Sequence, residues 1–174
     1  DACGNTSTCL QTITVDDSTP PTITDCPADV TIECDESTDP ANTGLASATD
    51  NCDTAPVVTY NDAIAEGGCP QEYTITRTWT ATDACGNGTN CTQVITVDDS
   101  TPPTITTCAA NITIECDEST DPSNTGLSSA TDNCDPAPVV TYSDATVAGG
   151  CPQEYTITRT WTATDDCGNS STCA

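Results

Sequence analysis

Cysteine is the residue type with the most chemical potential in this sequence, because 14 of its 174 residues are cysteines and none is histidine. A thiol can act as a nucleophile, bind a metal or form a disulfide. Nucleophilic thiols and zinc sites commonly use histidine partners, so its absence favours disulfides, with the other two uses as the weaker alternatives. Disulfides persist outside the cytosol, and the sequence therefore predicts an extracellular protein, at a cell surface or on a surface appendage.

Acidic side chains form the second chemically important group, with 27 Asp and Glu residues against two Arg residues and a net charge of -25. This charge repels phosphate backbones and anionic headgroups, which excludes a nucleic-acid partner and argues against membrane contact. The sequence also lacks an apolar stretch long enough for direct membrane insertion. Carboxylates can serve in hydrolysis, but no histidine, lysine, phosphate loop or nucleophile elbow accompanies them, and no enzyme activity is expected.

The sequence repeats itself with a fixed spacing, since 82 residues separate Cys3 from Cys85 and Cys85 from Cys167. The other cysteines follow the same spacing. Near-identity between copies predicts a tandem array from which this segment is a window. The repeat and the linkers at Pro20-Pro21 and Pro102-Pro103 predict three parts: 1–17 as the last strand of a preceding repeat, 18–99 as a complete domain, and 100–174 as a second domain without its last strand.

Strand patterns fill each repeat. Between Tyr73 and Ala81, Ile75 and Trp79 alternate with threonines, which is typical of a strand with one buried face. The predicted strands of the first repeat are 29–34, 43–50, 57–61, 72–82 and 91–97. Short strands separated by Asp, Asn, Gly and Pro indicate an all-β fold of tandem immunoglobulin-like antiparallel β-sandwiches.

Four segments carry a family resemblance: Asp-Asp-Ser-Thr-Pro-Pro-Thr-Ile at 16–23, Cys-Pro-Ala-Asp-Val-Thr-Ile at 26–32, Ala-Thr-Asp-Asn-Cys at 48–52, and Trp-Thr-Ala-Thr-Asp-Ala-Cys-Gly-Asn at 79–87, followed by Cys91. They resemble the hyalin repeat (HYR), above all the HYR-like arrays of bacterial surface adhesins, including the gliding-motility adhesins of Bacteroidota. The resemblance implies an immunoglobulin-like sandwich in secreted, adhesive or filamentous proteins and implies no enzyme activity.

Strand direction sorts the cysteines of a domain onto two ends, called here the upstream end, where the chain comes into the domain, and the downstream end, where it leaves. Cys34 and Cys69 fall at the downstream end, and an extended strand separates Cys69 from Cys85 by more than a disulfide can span. The predicted pairs are Cys26–Cys91, Cys34–Cys69, Cys52–Cys85, Cys108–Cys173, Cys116–Cys151 and Cys134–Cys167. The alternative is a local Cys85–Cys91 bridge with Cys26 bonded to Cys52. Cys3 and Cys9 need partners outside this segment.

Oxygen-bearing side chains gather at each upstream end and suit calcium, which takes roughly six to eight oxygen ligands. The predicted Ca²⁺ ligands are Asp16, Asp17, Asp50, Asp53, Asp83 and Asn87 for the first domain and Asp98, Asp99, Asp132, Asp135, Asp165 and Asn169 for the second. The alternative is that these residues form turns and keep the array soluble.

Two further features have structural interpretations. Arg77 and Arg159 share strand parity with Trp79 and Trp161, which predicts that each guanidinium stacks on an aromatic ring and pairs with a carboxylate. The threonine rows are those of a solvent-facing strand surface, with a hydroxyl array for ice or sugar as the weaker alternative.

The sequence therefore predicts a structural repeat in the shaft of a bacterial adhesin or extracellular filament, with neighbouring repeats as its partners. The alternative is an adhesive module that binds surface glycans or proteins.

Overall fold

The computed structural model describes residues 2–174 and consists of β-strands with two one-turn helices, so Asp1 of the first repeat motif lies outside the described residues. The first domain contains β1 (Thr22–Asp25), β2 (Val30–Glu33), α1 (Pro40–Thr43), β3 (Ser47–Thr49), β4 (Val57–Glu66), β5 (Tyr73–Thr82) and β6 (Gly88–Asp98). The second contains β7 (Thr104–Thr107), α2 (Pro122–Thr125), β8 (Ser129–Thr131), β9 (Val139–Ala148), β10 (Tyr155–Thr164) and β11 (Ser170–Cys173). The predicted all-β, sandwich-like fold is confirmed.

The first domain has a large sheet with the strand order β2-β6-β5-β4 and a small sheet of β1 and β3. Neighbouring strands are antiparallel except for β2, which runs parallel to β6. The small sheet contacts the large one through β1 and β6. A disulfide between Cys26, just after β1, and Cys91, on β6, also joins the two sheets. The second domain has the matching sheets β7-β8 and β9-β10-β11.

The inner face of the large sheet holds the core. On β5 the side chains of Ile75, Trp79 and Ala81 are buried, while the threonines between them lie on the wetter face. Cross-strand pairing sets Ile75 opposite Ile95, and Ile32 and Val97 complete the cluster. This alternation is the pattern that the sequence predicts. The apolar core is small, as expected of a domain braced by disulfides.

A polar network occupies the middle of the same face, around the fully buried Arg77. Its guanidinium donates two hydrogen bonds to the Asp62 carboxylate, at 2.8 and 2.9 Å, and one each to Thr43 Oγ1 and the Thr38 carbonyl, both at 2.9 Å. It also lies 4.5 Å from the ring centre of Tyr60 and 5.8 Å from that of Trp79. The predicted ring stacking and carboxylate pairing are therefore both present, with tyrosine as the nearer ring.

Some predicted element boundaries are wrong. β4 continues to Glu66 rather than 61, because its whole length pairs with β5 although every residue except Val58 is exposed. The predicted strand at 43–50 shortens to β3, because residues 40–43 form α1. β1 and α1 are absent from the prediction, since four residues are too few for a periodic pattern.

The second domain is more open than the first. β11 pairs with β10 only opposite Trp161 to Thr164, so the preceding half of β10 has no neighbour on that side within the described structure. Residues 112–115, which correspond to β2, form no strand. As a result Ile112 is 58% exposed, whereas its equivalent Val30 packs against the core.

Candidate functional site at the junction between repeats

The two domains meet at a short linker that is hydrogen-bonded to both. Ser100, after β6, donates from its backbone N–H to the Glu33 carboxylate at 3.3 Å, and its hydroxyl donates to the same group. On the other side, Asn169 Nδ2 donates to the Asp99 carbonyl at 2.8 Å and the Ser171 hydroxyl donates to the Pro103 carbonyl at 2.5 Å. Hydrogen bonds therefore attach the linker to both domains.

Two disulfides cross this junction. Cys34, just after β2, bonds to Cys134 with a Cα–Cα distance of 5.8 Å, and Cys69, in the β4–β5 turn, bonds to Cys167 with a Cα–Cα distance of 5.2 Å. Within the domains, Cys26 bonds to Cys91 and Cys108 to Cys173, which are the partners that strand direction predicts. In the part of the chain that the structure describes, the cysteines without a disulfide include Cys9, Cys52, Cys85, Cys116 and Cys151.

The predicted pairs Cys34–Cys69 and Cys134–Cys167 are therefore replaced by bonds between domains, and Cys52–Cys85 and Cys116–Cys151 are absent. The assignment of cysteines to ends agrees with the structure, but for these four pairs the choice of partner does not. Cys34 follows an edge strand of the large sheet, and Cys69 lies beyond two other strands, roughly 10–15 Å away at about 4.8 Å per strand. A disulfide requires Cα atoms closer than about 7 Å, so each cysteine instead reaches across the junction.

Local desolvation, together with the negative charge of Asp17, raises the pKa of the Cys52 and Cys85 thiols. A raised pKa reduces the thiolate fraction at neutral pH, which is the opposite of what a catalytic nucleophile requires.

Three aspartates from three segments converge beside the interdomain disulfides, and we call this group the junction triad: Asp99, Asp132 and Asp165. Their carboxylate oxygens lie within 4.8 Å of one another. Both oxygens of Asp99 and one each of Asp132 and Asp165 are buried without a hydrogen-bond donor. Asp99 and Asp165 are only 4% and 5% exposed. Buried carboxylates that face each other without donors are costly unless a cation neutralises them.

The first domain has an equivalent group, the upstream triad, formed by Asp17, Asp50 and Asp83. The loops fix these carboxylates through backbone N–H groups: Asp50 accepts from Asp53 and Cys52, and Asp83 accepts from Cys85 and Asn87. The same pattern recurs at Asp132 and Asp165. These hydrogen bonds leave the second oxygen of Asp50, Asp132 and Asp165 without a donor, whereas the second oxygen of Asp83 accepts from Asn87 Nδ2 at 2.7 Å.

The pKa values of these carboxyls follow their surroundings. Hydrogen bonds from the backbone of Asp53 and Cys52 lower the pKa of Asp50. Burial acts to raise the pKa of Asp83, but hydrogen bonds from Asn87, Cys85 and Gly86 outweigh it and the pKa is lowered. Burial, followed by the charges of Asp132 and Asp165, raises the pKa of Asp99. The surroundings of Asp99 therefore disfavour its charged form, and a cation nearby would offset this effect.

The other predicted ligands lie outside the triads or have different roles. Asp53 and Asp135 accept backbone hydrogen bonds with both oxygens. Asn87 and Asn169 turn their Nδ2 groups, which cannot bind a cation, toward the aspartates. Asp16 and Asp98 belong to neither triad. Glu33 is absent from the predicted ligands, but one of its carboxylate oxygens lies within 4.8 Å of a carboxylate oxygen of Asp99. The feature of the sequence that could have indicated it is its position at the downstream end of β2.

An open cleft borders the junction triad, lined by Glu33, Asp35, Thr101, Pro102, Thr104, Thr131, Asp132 and Asn133. No lining residue is aromatic, so the cleft offers no ring on which a sugar could stack. It does not favour the glycan-binding alternative.

These features define a class: the chain is a disulfide-rich, all-β protein of the extracellular or secreted type, suited to a structural or adhesive role. None of the helices in residues 2–174 has the length and apolar character needed to span a bilayer.

The sequence is 31% identical over 172 residues to the Mus musculus protein named "Sushi, von Willebrand factor type A, EGF and pentraxin domain-containing protein 1". The match covers 98% of this chain but only 5% of the length of the mouse protein. No model of a known protein family matches the sequence. The chain is thus similar to one short segment of a very large, multidomain protein.

Proposed function

We propose that this chain is a structural repeat of the hyalin-repeat type in the shaft of a secreted cell-surface adhesin or extracellular filament. The observation that carries the proposal is the pair of disulfides, Cys34–Cys134 and Cys69–Cys167, that cross from one repeat to the next. The likeness to a segment of a multidomain protein supports a modular role. The bacterial origin rests on the sequence motifs alone.

The mechanical argument follows from where the covalent links leave the large sheet. The peptide linker leaves from β6, one disulfide from the end of β2 and the other from the β4–β5 turn, so the three are spread across the sheet. A single linker permits two domains to twist and bend about it. Two further links spaced to its sides oppose the twist, and they oppose bending within the plane of the sheet. The junction therefore fixes the orientation of one repeat relative to the next.

Calcium binding at the triads is part of the proposal. The junction triad combines a linker residue with one residue from each of two loops in the second domain, and it has four carboxylate oxygens that lack donors. Hard carboxylate oxygens in an irregular arrangement fit Ca²⁺, with water supplying the remaining ligands. Its chemical contribution is charge neutralisation: a divalent cation there would offset the repulsion and fix the linker to the second domain.

Domain tumbling tests the mechanical role. We expect ¹⁵N relaxation to give one common correlation time for both domains in the oxidised chain, and small-angle scattering to give a narrow distance distribution. The quadruple variant C34S/C69S/C134S/C167S should give two faster, separate correlation times. The variant C26S/C91S is the matched control, because it removes a disulfide within one domain and should leave the coupling between domains. Independent tumbling of the domains in the oxidised wild type would overturn the proposal.

Calorimetric titration with CaCl₂ tests the metal sites, with D99N as the variant and D98N as the control. Asp98 carries the same charge and adjoins Asp99 but lies outside the triad. We expect D99N to lose binding at the junction and D98N to keep it. In the presence of a chelator, D99N should raise the melting temperature, because a buried unpaired charge is removed. Wild-type protein that binds no calcium, or equal loss in both variants, would contradict the metal proposal and leave the mechanical one standing.

A further inference from the structure

We infer that Glu33 extends the junction triad into the first domain, so that one cation is held from both domains and its binding is coupled to the Cys34–Cys134 disulfide. This inference rests on the proposed calcium site and names how that site is regulated. The cation favours the oxidised junction, and the oxidised junction favours the cation.

Contacts with the linker hold Glu33 beside the triad. Its carboxylate accepts hydrogen bonds from the backbone N–H of Ser100, at 3.3 Å, and from the Ser100 hydroxyl. Ser100 follows Asp99, and one carboxylate oxygen of Glu33 lies within 4.8 Å of one of Asp99. A carboxylate oxygen that accepts one hydrogen bond keeps a second lone pair, with which it can bind a cation. Glu33 is thus the first-domain residue that is placed to join the triad.

The triad supplies the independent indication of a cation. Asp99 is 4% exposed, and neither of its carboxylate oxygens has a donor among the described residues. Asp132 and Asp165 each add one buried oxygen in the same condition. The sequence has only two cationic side chains, Arg77 and Arg159, and both pair with aspartates inside their own domains. The positive charge that offsets these carboxylates must therefore come from solution.

The cleft beside the triad connects it to solvent and is lined by both domains. Glu33 and Asp35 line the cleft from the first domain, and Asp132 lines it from the second. A cation that enters the cleft therefore meets carboxylates of both domains on its way to the buried Asp99.

The ligands and the bonded cysteines belong to the same short segments. Glu33 directly precedes Cys34, and Asp132 Oδ1 accepts the N–H of Cys134 at 2.8 Å. Carboxylate oxygens of Glu33 and Asp99 and the Sγ atom of Cys134 lie within 4.8 Å of one another. Without a cation, the like charges push apart the two segments that the disulfide joins, and a bound cation would draw them together.

Thermodynamic linkage makes the effect reciprocal. If calcium binds the oxidised junction more tightly than the reduced one by some factor, saturating calcium must favour the disulfide by the same factor. The reaction consumes two molecules of reduced glutathione per protein disulfide and gives two protein thiols and one glutathione disulfide. We expect a factor of about ten, which corresponds to a reduction potential that is lower by about 30 mV.

The second interdomain disulfide, Cys69–Cys167, provides an internal comparison. Its first-domain neighbour is Glu72, whose carboxylate lies within 4.8 Å of both Sγ atoms but belongs to neither triad. No triad ligand therefore adjoins this bond on its first-domain side within the described structure. Calcium should shift its equilibrium less than it shifts that of Cys34–Cys134.

The test equilibrates the 174-residue chain in glutathione buffers of graded potential at fixed pH, with either CaCl₂ or EGTA. Acid quenching, differential alkylation and peptide mapping give the reduced fraction of each cysteine, so each bond has its own midpoint potential. We expect calcium to lower the midpoint of Cys34–Cys134 by about 30 mV. The midpoint of Cys69–Cys167 should fall less, and that of Cys26–Cys91, within the first domain, should fall least.

E33Q tests the ligand, with E115Q as the matched control. Glutamine keeps an oxygen that can accept from Ser100 but removes the charge, and Glu115 has the same position in the second repeat but belongs to neither triad. In EGTA, E33Q should make the Cys34–Cys134 bond more stable than in wild type, and calcium should then have little further effect. A residue that only supports the linker would instead destabilise the bond in both buffers. E115Q should respond to calcium as wild type does.

Calorimetric titration of C34S/C134S with CaCl₂ measures the same coupling from the other side. The junction site is identified as the binding event that D99N removes. In C34S/C134S this site should bind calcium about tenfold more weakly than in the oxidised wild type, in agreement with the shift of the disulfide equilibrium. C69S/C167S should show a smaller loss.

A Cys34–Cys134 midpoint that is equal in calcium and EGTA would overturn the inference, as would an E33Q variant that responds to calcium as fully as wild type. If calorimetry shows calcium at the junction while this midpoint stays fixed, this inference alone fails and the proposed site stands. If the wild-type junction binds no calcium, the calcium part of the proposed function fails with it.

Discussion

At the scale of single residues, the two arginines organise the interior of their domains. Arg77 connects β5 to Asp62 on β4 and to the segment around α1, while Arg159 makes the equivalent contacts to Asp144 and Thr125. The side chain is 2% exposed for Arg77 and 14% exposed for Arg159. The network is therefore less exposed to solvent in the first domain, and its loss should reduce the stability of that domain more.

We expect R77K to destabilise the first domain by about 2 kcal/mol, because lysine retains the charge but cannot reproduce the fork of hydrogen bonds in a buried site. R159K is the matched substitution in the second domain and should have a smaller effect. Hydrogen–deuterium exchange separates the two domains: β4 and β5 should exchange faster in R77K, and β9 and β10 only slightly faster in R159K. Equal effects would show that burial of the arginine does not determine the loss of stability.

A pH dependence follows from Asp144. The side-chain hydrogen bonds from Arg159 lower the pKa of Asp144 in the folded protein. Because the folded-state pKa lies below the unfolded one, the pair stabilises the protein above about pH 4, and this contribution is lost as the pH falls through the folded pKa. Wild-type protein should therefore exceed D144N in its urea midpoint at pH 7, with the gap closing below pH 4. A gap that stays constant to pH 2 would contradict this.

At the scale of elements, the β4–β5 turn matters most, because it holds Cys69 at the junction. Gly67 donates its N–H to the Glu72 carbonyl at 2.9 Å, and a Cβ at Gly67 would lie 2.7 Å from that same oxygen. Neither β4 nor β5 can move aside without breaking the ladder between them. The turn therefore has a backbone contact that only glycine accommodates.

We expect G67A to open this turn at a cost of about 1–3 kcal/mol and to lower the yield of the Cys69–Cys167 bond. G68A is the control, because its Cβ would meet only the end of the Glu72 side chain, at 3.2 Å, which can move. Disulfide mapping after oxidative refolding measures both yields. The expectation fails if both variants form the bond as completely as wild type.

The elements also show where sequence reasoning succeeds and where it stops. The alternation around Trp79 predicts β5 and its buried face, because a long strand contains enough residues to show alternating apolar and polar positions. Gln93 was missed: it is fully buried and donates to the Ala28 and Thr43 carbonyls, and its only signal was its place on the inner parity of β6. The partner of Cys34 could not be found from spacing, because near-identical repeats make Cys52 and Cys134 equivalent.

At the scale of the whole molecule, the negative charge destabilises the compact fold and the disulfides stabilise it. The 174 residues carry a net charge of -25, and like charges repel one another in the folded state. Each bridge within a domain closes a segment with a separation of 65 residues, worth roughly 4 kcal/mol in the chain-entropy model. We therefore expect the stability of the chain to depend on ionic conditions as well as on oxidation.

We expect the melting temperature to rise between 10 mM and 500 mM NaCl in the presence of a chelator, because salt screens this repulsion. Reduced protein should show the larger rise, since it lacks the bridges that hold the charges together. Calorimetry at matched pH measures both. A melting temperature independent of salt would mean that the charges are spaced widely enough not to interact.

The bridges overlap along the chain, with each interdomain bond beginning inside one domain bridge and ending inside the other. As a result, every peptide bond between Cys34 and Cys167 is spanned by at least two disulfides. A protease that cuts any loop in this region would release no fragment, and the two cut ends would stay attached to the same body. A single proteolytic cut between Cys34 and Cys167 therefore does not separate the molecule into two parts.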